Sequence, residues 1–478
     1  MGATGRTEER RARQPQNGCL QYRRSPQPLQ NGVMHMNGTI RHWSSLTMIS
    51  LSTVIALSAC SPKTATNNNA ADPGEQTKVP QAAINEPVEL TFYYMYADWS
   101  TEKFMGLVGK HIQKQYPNVR FNFIQTGTGT TIEDTVAAKQ NLDVIIASQG
   151  QLQKLADLGL LSDISDLVTT YKYDLNRIEP SPLETMRRIA NGSIVGLPYK
   201  INALALYYNK DIFDKFGVPY LKDGMTWDEI YEKARLLTRT DAGVSYTGIS
   251  FGSYGNLLTL NQYGHELVDP KTRKPTFEDN FWKPYVDSFT RFYQLGSGPN
   301  PDLLNGPKVK EAFTKNKTSA MWFATIGDFP RINEWDFNWD VAAYPTFKEL
   351  PDVGPPPAPT YMLVSANSKH RSEAFLAVAS MLSDETQTEL VKQGDATSLK
   401  NKQVRDQFGT AYPYLKDKNV KALLPGKMAG PISWNKETIA VQSVFSKAFA
   451  DVAQGTKDVN TALREAQEAG QKAIDALK

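Results

Sequence analysis

The runs "VELTFYYMY" (Val88–Tyr96), "VRFNFIQ" (Val119–Gln125) and "DVIIAS" (Asp143–Ser148) decide the fold class of this chain. Each run is apolar and rich in β-branched and aromatic residues, which is typical of strands. The segments between them, "TEKFMGLVGKHIQKQYP" and "TIEDTVAAKQ", have the longer and more polar pattern of helices. Strands that alternate with helices predict a parallel sheet with crossover helices. We therefore predict an α/β fold.

Farther along the chain, local signals predict two helices and a connector. In "GMTWDEIYEKARLLT", Thr226 stands three residues before Glu229, which is the capping-box arrangement at a helix start. The run "TIAVQSVFSKAFADVAQG" places apolar residues at helical spacing and ends at Gly455. The run "DVGPPPAPTY" (Asp352–Tyr361) is too rich in proline to form a helix. We interpret it as a connector between domains or layers.

The stretch "SLTMISLSTVIALSAC" (Ser45–Cys60) has the layout of a secretory signal peptide. Its apolar part is shorter than the roughly 20 residues that a membrane span needs. Its last four residues resemble the lipobox of bacterial lipoproteins, which implies that Cys60 carries a diacylglycerol with fatty acids such as palmitate. We predict that residues 1–59 are an over-called start plus this signal peptide, and that residues 60–86 are a flexible tether.

Charge and histidine content exclude several function classes. Residues 1–59 hold seven Arg and two Glu, so the predicted mature chain keeps 46 basic and 48 acidic residues. This balance does not indicate the excess of positive charge that nucleic-acid-binding proteins carry. Its three histidines, His111, His265 and His370, lack partners at metal-ligand spacing. The Gly-rich turn "QTGTGTT" (Gln125–Thr131) lacks the third glycine of a nucleotide-binding loop. We expect no metal, no cofactor and no nucleic-acid partner.

Candidate ligand-binding residues follow the three predicted strands, because ligands bind beyond the carboxyl ends of parallel strands. Flat rings cover the C–H faces of a sugar, and amide, hydroxyl and carboxylate groups bond its hydroxyls. This edge therefore favours a neutral polyol as ligand, although each ring is equally compatible with an ordinary core or rim position. The candidates are Tyr96, Asp98 and Trp99 after the first strand, Gln125 after the second, and Ser148 and Gln149 after the third.

A longer stretch carries a family resemblance. "IVGLPYKINALALYYNKDIFDKFGVPYLKDGMTWDEIYEKARLLT" (Ile194–Thr238) resembles the family 1 extracellular solute-binding proteins of ABC importers, the maltose-binding-protein class. Its Gly-Leu-Pro-Tyr, Tyr-Tyr-Asn-Lys-Asp, Phe-Gly-Val-Pro and Thr-Trp-Asp-Glu groups occur in the family's order. Further matching pieces, among them "EAFTKNKTSAMWF" and "SANSKHRSEAFLAVASMLSDETQTEL", extend the resemblance from Glu86 to Lys478.

The resemblance implies a two-lobed, type II periplasmic-binding-protein fold, in which two α/β domains are joined by multiple hinge crossings. The lobes of such proteins close on their ligand by hinge motion. Crossings are expected near Leu197–Tyr199, Ala343–Thr346 and Gly394–Lys400. The N-terminal lobe then comprises residues 87–198 and 345–395, and the C-terminal lobe comprises residues 199–344 and 396–478.

The resemblance also implies ligand-binding residues beyond the strand ends. Trp322 falls where the family often presents an aromatic platform, so we expect Trp322 and Trp99 to face the cleft and to be only partly buried. The remaining candidates are Trp434 before the last long helix, Tyr199 at the hinge, Asn256 and Gln262 in a cleft-facing loop, and Tyr361, which follows "PPPAP" where the family has a glycine-rich turn.

These observations together predict an extracytoplasmic lipoprotein, anchored to the cell membrane through Cys60 and monomeric. It binds a small-molecule carbohydrate and delivers it to the permease subunits of an ABC transporter without catalysis. Two alternatives stay open at the level of the sequence. One is a secreted polysaccharide lyase or hydrolase, and the other is a sugar-binding surface sensor that serves no transporter.

Overall fold

The structure, a computed structural model, describes residues 82–252, 254–423 and 426–477. The predicted signal peptide and Cys60 lie outside the described residues. The α-helices are α1 Thr101–Phe104, α2 Lys110–Gln115, α3 Ile132–Ala137, α4 Leu152–Asp157, α5 Ser165–Thr170, α6 Pro180–Ile189, α7 Lys210–Lys215, α8 Trp227–Leu237, α9 Tyr254–Thr259, α10 Trp282–Thr290, α11 Gly306–Thr314, α12 Arg371–Ser380, α13 Asp384–Lys392, α14 Lys402–Arg405, α15 Lys436–Ala453 and α16 Val459–Asp475.

The strands form two main sheets. They are β1 Val88–Tyr94, β2 Val119–Gln125, β3 Val144–Ser148, β4 Gly196–Asn202, β5 Leu204–Asn209, β6 Arg239–Asp241, β7 Val244–Tyr246, β8 Ser250–Phe251, β9 Met321–Thr325, β10 Trp339–Ala342, β11 Val353–Gly354, β12 Ala358–Val364 and β13 Lys427–Met428. The first sheet has the order β2-β1-β3-β12-β4 and the second has the order β10-β5-β9-β8. Two further sheets have two strands each, β6 with β7 and β11 with β13.

The three runs that predicted the fold class form the parallel part of the first sheet. β1 lies between β2 and β3 and pairs in parallel with both. Its middle residues Leu90, Phe92 and Tyr93 are buried because helices cover the sheet, as parallel sheets require. The alternation of strands and helices from Val88 to Ser148 is therefore confirmed, and the fold is α/β.

Helix starts follow the capping chemistry that the sequence indicates. The Thr226 side chain accepts from the Glu229 backbone amide, and the Glu229 carboxylate accepts in return from the Thr226 amide at 2.7 Å. This confirms the predicted capping box of α8. A second capping box, Thr131 with Asp134, starts α3 directly after the Gly-rich turn. Both boxes satisfy amides that a helix start would otherwise leave unpaired.

The chain passes from the first sheet to the second at Ala203. β4 belongs entirely to the first sheet, and β5 begins one residue after Ala203 in the second sheet. The predicted crossing at Leu197–Tyr199 is therefore placed too early, because Leu197 and Pro198 are paired with Met362 and Tyr361 of β12. A return passage lies between β10 in the second sheet and β12 in the first. Farther on, Ala396 bridges to Ile201 at the end of β4.

The run "DVGPPPAPTY" is only partly a connector, which corrects the prediction. Ala358 to Tyr361 belong to β12, which lies inside the first sheet between β3 and β4. Proline is tolerated here because Pro359 occupies the start of the strand, next to an irregularity in register between Thr360 and Tyr361. Tyr361 is therefore fully buried, and its hydroxyl donates to the Pro182 carbonyl oxygen at 2.7 Å.

Each sheet has its own buried cluster of side chains. The cluster of the first sheet runs from Ile84 to Tyr199 and resumes from Tyr361 to Leu399. The second sheet is packed on one side against α8, α10, α15 and α16, and on the other side against residues 313–341 and 391–423. Long-range contacts thus bring the two C-terminal helices back onto the second sheet. The last residues of the predicted tether also pack, since Ile84 is buried in the first cluster and accepts from Asn118.

Candidate functional site

The carboxyl ends of four parallel strands share one edge of the first sheet. β4 runs antiparallel to β12, which itself runs antiparallel to β3, so β4 is parallel to β1, β2 and β3. The carboxyl end of β4 therefore adds Lys200 and Asn202 to the edge that the sequence predicted. Thr360, at the start of β12, lies opposite Ser148 at the same edge. We call this group of strand ends the sheet edge.

Aromatic rings form a layered group at the sheet edge. Tyr94 and Trp99 are stacked, with ring centroids 4.2 Å apart and an interplanar angle of 19°. Tyr96 packs edge-on against Tyr94 at 5.4 Å. The Tyr96 hydroxyl donates to Ser148 Oγ at 2.5 Å, which joins the ends of β1 and β3. The stacked Tyr94 and Trp99 rings are buried and support the partly exposed Tyr96 ring, which lies next to a hydroxyl group as in a carbohydrate site.

Each charged group at the sheet edge has a partner of opposite charge. The Tyr94 hydroxyl donates to Asp98 at 2.9 Å, and the Lys103 ammonium lies 3.5 Å from the other Asp98 oxygen. The Lys200 ammonium lies 3.5 Å from the Asp395 carboxylate, 5.9 Å from the centroid of the Trp99 ring and 5.5 Å from that of Tyr199. Burial acts to lower the pKa of Lys200, but Tyr199 and Asp395 raise it by more, so this side chain stays charged.

Several of the predicted residues carry buried polar atoms without a hydrogen bond to protein. Gln125 Oε1 and the Tyr199 hydroxyl are two of them, and Trp434 Nε1 is a third. A buried polar group without a partner costs free energy that a ligand hydroxyl or a water can recover. Burial also raises the pKa of the Tyr199 hydroxyl, which therefore remains a neutral donor. As buried atoms, they would reach a polyol only if the covering side chains moved.

Trp434 is the aromatic residue that the C-terminal part of the chain brings to the first cluster. Its partly buried ring packs against the cluster of the first sheet. The segment is fastened by Glu266, which accepts from the Ser433 amide at 2.8 Å and from Arg188 of α6 at 2.7 Å. The arrangement places an indole next to the first sheet from outside that sheet.

Trp322 and Trp99 are more buried than we predicted. Trp322 is 2% exposed, because Tyr207 and Phe313 enclose it in the core beside the second sheet, with ring centroids 5.6 and 5.5 Å away. It is the second residue of β9 and so lies away from that strand's carboxyl end. Trp99 is 4% exposed, because Tyr94 covers one face of its ring. The expectation of two partly buried platforms was wrong for both residues.

Gln262 and Tyr361 are also enclosed by protein. Gln262, 2% exposed, accepts from the Trp227 indole N–H at 3.0 Å and donates to the Pro345 and Val353 carbonyl oxygens. Its polar atoms are thus used to hold loops together, which contradicts a cleft-facing role. The Tyr361 hydroxyl is likewise occupied, by its hydrogen bond to the Pro182 carbonyl oxygen. Asn256 is half-buried on α9, just beyond the carboxyl end of β8.

The structure thus brings seven of the twelve candidates to the sheet edge and adds residues that the sequence analysis missed. The seven are Tyr96, Asp98, Trp99, Gln125, Ser148, Gln149 and Tyr199, whose ligand-binding roles stay predictions. The missed residues are Tyr94, Lys200 and Asp395. Lys200 lies at the carboxyl end of β4, whereas the prediction from strand ends covered only the first three strands. Asp395 is 195 residues away from Lys200 in sequence, and no local signal connects the two.

Within residues 82–252, 254–423 and 426–477, no group of three or more His, Cys, Asp or Glu side chains could hold a metal ion. In the same part of the chain, none of the helices has the combined length and apolar character that a membrane span requires.

A family model described as bacterial extracellular solute-binding protein matches residues 97–388. A mannitol-binding protein of Pseudomonas aeruginosa is 24% identical over 241 residues, which are 46% of this chain and 51% of that protein. The sn-glycerol-3-phosphate-binding periplasmic protein UgpB of Agrobacterium fabrum is 28% identical over 128 residues, 26% of this chain and 29% of that protein. The matches thus span about half or less of the length of these curated relatives.

Solved structures resemble nearly all of the described chain. A sugar transporter protein of Rhizobium etli in an open conformation has a TM-score of 0.67 at 22% identity, covering 80% of this chain and 99% of that one. The sugar-binding protein MalE of Xanthomonas citri has a TM-score of 0.63 at 15% identity, covering 82% and 98%. At these identities the likeness establishes the fold, and it confirms the predicted two-lobed α/β architecture.

Proposed function

The chain belongs to the bacterial extracellular solute-binding proteins, and from that premise we propose that it binds a neutral carbohydrate or polyol and delivers it to the permease of an ABC transporter. The observation that carries the choice of ligand is the sheet edge, where the partly exposed Tyr96 ring, packed on the buried Tyr94, lies beside the Ser148 hydroxyl. Rings and hydroxyls in contact match the alternating apolar faces and hydroxyl rims of a sugar.

The paired charges favour a neutral ligand over a phosphorylated one. The two curated relatives differ in this respect, since one is named for mannitol and the other for sn-glycerol 3-phosphate. Here Lys200 is already neutralised by Asp395, and Asp98 by Lys103. A phosphate would have to separate Lys200 from Asp395 or lie near the Asp98 carboxylate. The first arrangement leaves the partly buried Asp395 carboxylate without its partner, and the second places two negative charges side by side, so both cost free energy.

The two lobes are proposed to close on the ligand. The passage of the chain at Ala203 is short, and such crossings serve as hinges when domains close. Trp434 is proposed to cover one face of the sugar while the sheet edge holds the other. Because β4 belongs to the first sheet, we move the first boundary of the predicted lobes to Ala203 and propose residues 87–202 with 345–395, and residues 203–344 with 396–478, as the two lobes.

Neutral polyols and oligosaccharides, including mannitol, are expected to raise the thermal midpoint of the purified protein. A ligand at about 100 times its Kd stabilises by about 2.7 kcal/mol. Calorimetric titration of each hit gives the affinity, and small-angle scattering of the same sample is expected to show a smaller radius of gyration. The bound sugar is expected to be recovered unchanged, as binding without turnover requires.

Titration with sn-glycerol 3-phosphate tests whether the site prefers a neutral ligand to a phosphorylated one. It is expected not to displace a bound neutral sugar. Displacement at a lower concentration than mannitol needs would show that the site recognises phosphate, and the argument from paired charges would then fail. Consumption of an oligosaccharide during the titration would instead favour the secreted lyase or hydrolase.

Anchoring by lipid is proposed for Cys60. The support is the lipobox at the end of a short apolar segment, together with a family of extracellular proteins. Cys60→Ser is expected to move the protein from the membrane fraction to the soluble exported fraction, or to block its processing. Fractionation and mass spectrometry of the N-terminus measure the change. Identical fractionation and processing of wild type and Cys60→Ser would contradict the anchor.

A further inference from the structure

A basic cavity lies apart from the sheet edge. Its volume is about 360 Å³, and none of the sheet-edge residues lines it. The lining includes four cations, one carboxylate and one aromatic ring. These residues are Lys400, Lys402, Arg405, Asp406, Phe408 and Lys421. We call this feature the basic cavity.

Only part of the positive charge in the basic cavity is compensated. Lys402 binds Asp406 at 2.6 Å, and Arg405 binds Glu179 at 3.0 Å. Lys400 and Lys421 are exposed, and neither ammonium group has a carboxylate within 4 Å among the residues that the structure describes. Four cations against two carboxylates leave an excess of about two positive charges, which favours an anion.

The pKa of Asp406 is consistent with this excess of positive charge. The hydrogen bond from Lys402 is the main cause that lowers the pKa of Asp406, and Lys421 and Arg405 lower it further. The three cations therefore act on one point in space although they come from two segments of the chain. A second anion near these groups is attracted by the same cations, while the Asp406 carboxylate offsets part of that attraction.

The wall of the basic cavity is fixed by packing and by backbone bonds. The Lys400 amide donates to the Arg177 carbonyl oxygen at 2.9 Å, and Leu399 bridges to Ile178. Val404 and Phe408, which flank Arg405, are buried in the cluster beside the second sheet. The backbone that carries Lys400 and Arg405 is thus held in place, so less conformational entropy is lost when these two residues bind a ligand.

We propose that the basic cavity is a binding site for a phosphate group. Lys400 and Lys421 offer point charges, and Arg405, which also binds Glu179, adds the charge of its guanidinium, so the set suits a tetrahedral oxyanion. The group comes from one of two sources, either free inorganic phosphate or the head group of an anionic phospholipid. The site is independent of the sugar-binding proposal, since the two share no residue.

Calorimetric titration of the full chain with inorganic phosphate, at constant ionic strength, tests the site. We expect saturable binding that weakens about tenfold or more in Lys400→Ala/Lys421→Ala, because two charge-assisted bonds are removed. The matched control Lys271→Ala/Lys274→Ala removes the same charge from an exposed loop between α9 and α10 that does not line the basic cavity. It is expected to bind phosphate as the wild type does.

Vesicle binding distinguishes the two sources. Vesicles of phosphatidylcholine with and without phosphatidylglycerol are sedimented with the wild type and both double variants. Loss of phosphatidylglycerol-dependent binding in Lys400→Ala/Lys421→Ala alone supports the head group, and a phosphate effect in calorimetry alone supports the free anion. The proposal is overturned if neither probe binds, or if the control pair weakens binding as much as the cavity pair.

Discussion

Replacement of Trp322 by alanine is expected to lower the free energy of unfolding by about 3–5 kcal/mol, the range for a core tryptophan. The indole is 2% exposed and lies in a cage of rings formed with Tyr207, Phe313 and Trp335. Its removal leaves a cavity that these large rings cannot fill without leaving their own positions. Chemical denaturation of the apo protein measures the change.

The matched variant Trp322→Phe keeps an aromatic ring and is expected to retain most of the stability. At a temperature where Trp322→Ala remains folded, its affinity for the identified sugar is expected to stay near that of the wild type. If the variant instead loses little stability but much affinity, Trp322 contacts the ligand as a platform. That result would contradict the burial described above.

Replacement of Trp434 by alanine is expected to have the opposite profile. The ring is only partly buried and packs against the cluster of the first sheet. We expect a loss of roughly 2 kcal/mol in binding free energy, about 30-fold in Kd, because a buried aromatic anchor commonly contributes that much to recognition. Calorimetry with the identified sugar gives this number.

Comparison with Trp322→Ala controls the interpretation of Trp434→Ala. The denaturation midpoint of apo Trp434→Ala is expected to fall by clearly less than that of Trp322→Ala. Normal affinity in a folded Trp434→Ala protein would place the sugar away from this indole. The proposed cleft between the sheet edge and the C-terminal part of the chain would then be wrong.

The sequence by itself determined the features that depend on neighbours in the chain. Alternating apolar runs specified β1, β2 and β3, because a strand shows its buried face within a few residues. The Thr226 and Glu229 pair specified the start of α8, because a capping box is complete within four residues. The strand-end argument placed Tyr96 and Ser148 at one edge for the same reason, and their hydroxyls do meet.

Only the tertiary structure decided which aromatic residues are core and which are exposed to a ligand. Trp322 stands between Met321 and Phe323, and Trp434 stands between Ser433 and Asn435, but neither local context specifies which distant residues enclose the indole. Trp322 is enclosed by rings from other parts of the chain, whereas Trp434 reaches the first cluster because Glu266 holds its segment against Arg188. The Lys200–Asp395 pair likewise joins residues 195 positions apart. Burial and charge pairing depend on segments that meet only when the chain folds, and a local pattern carries no record of those distant partners.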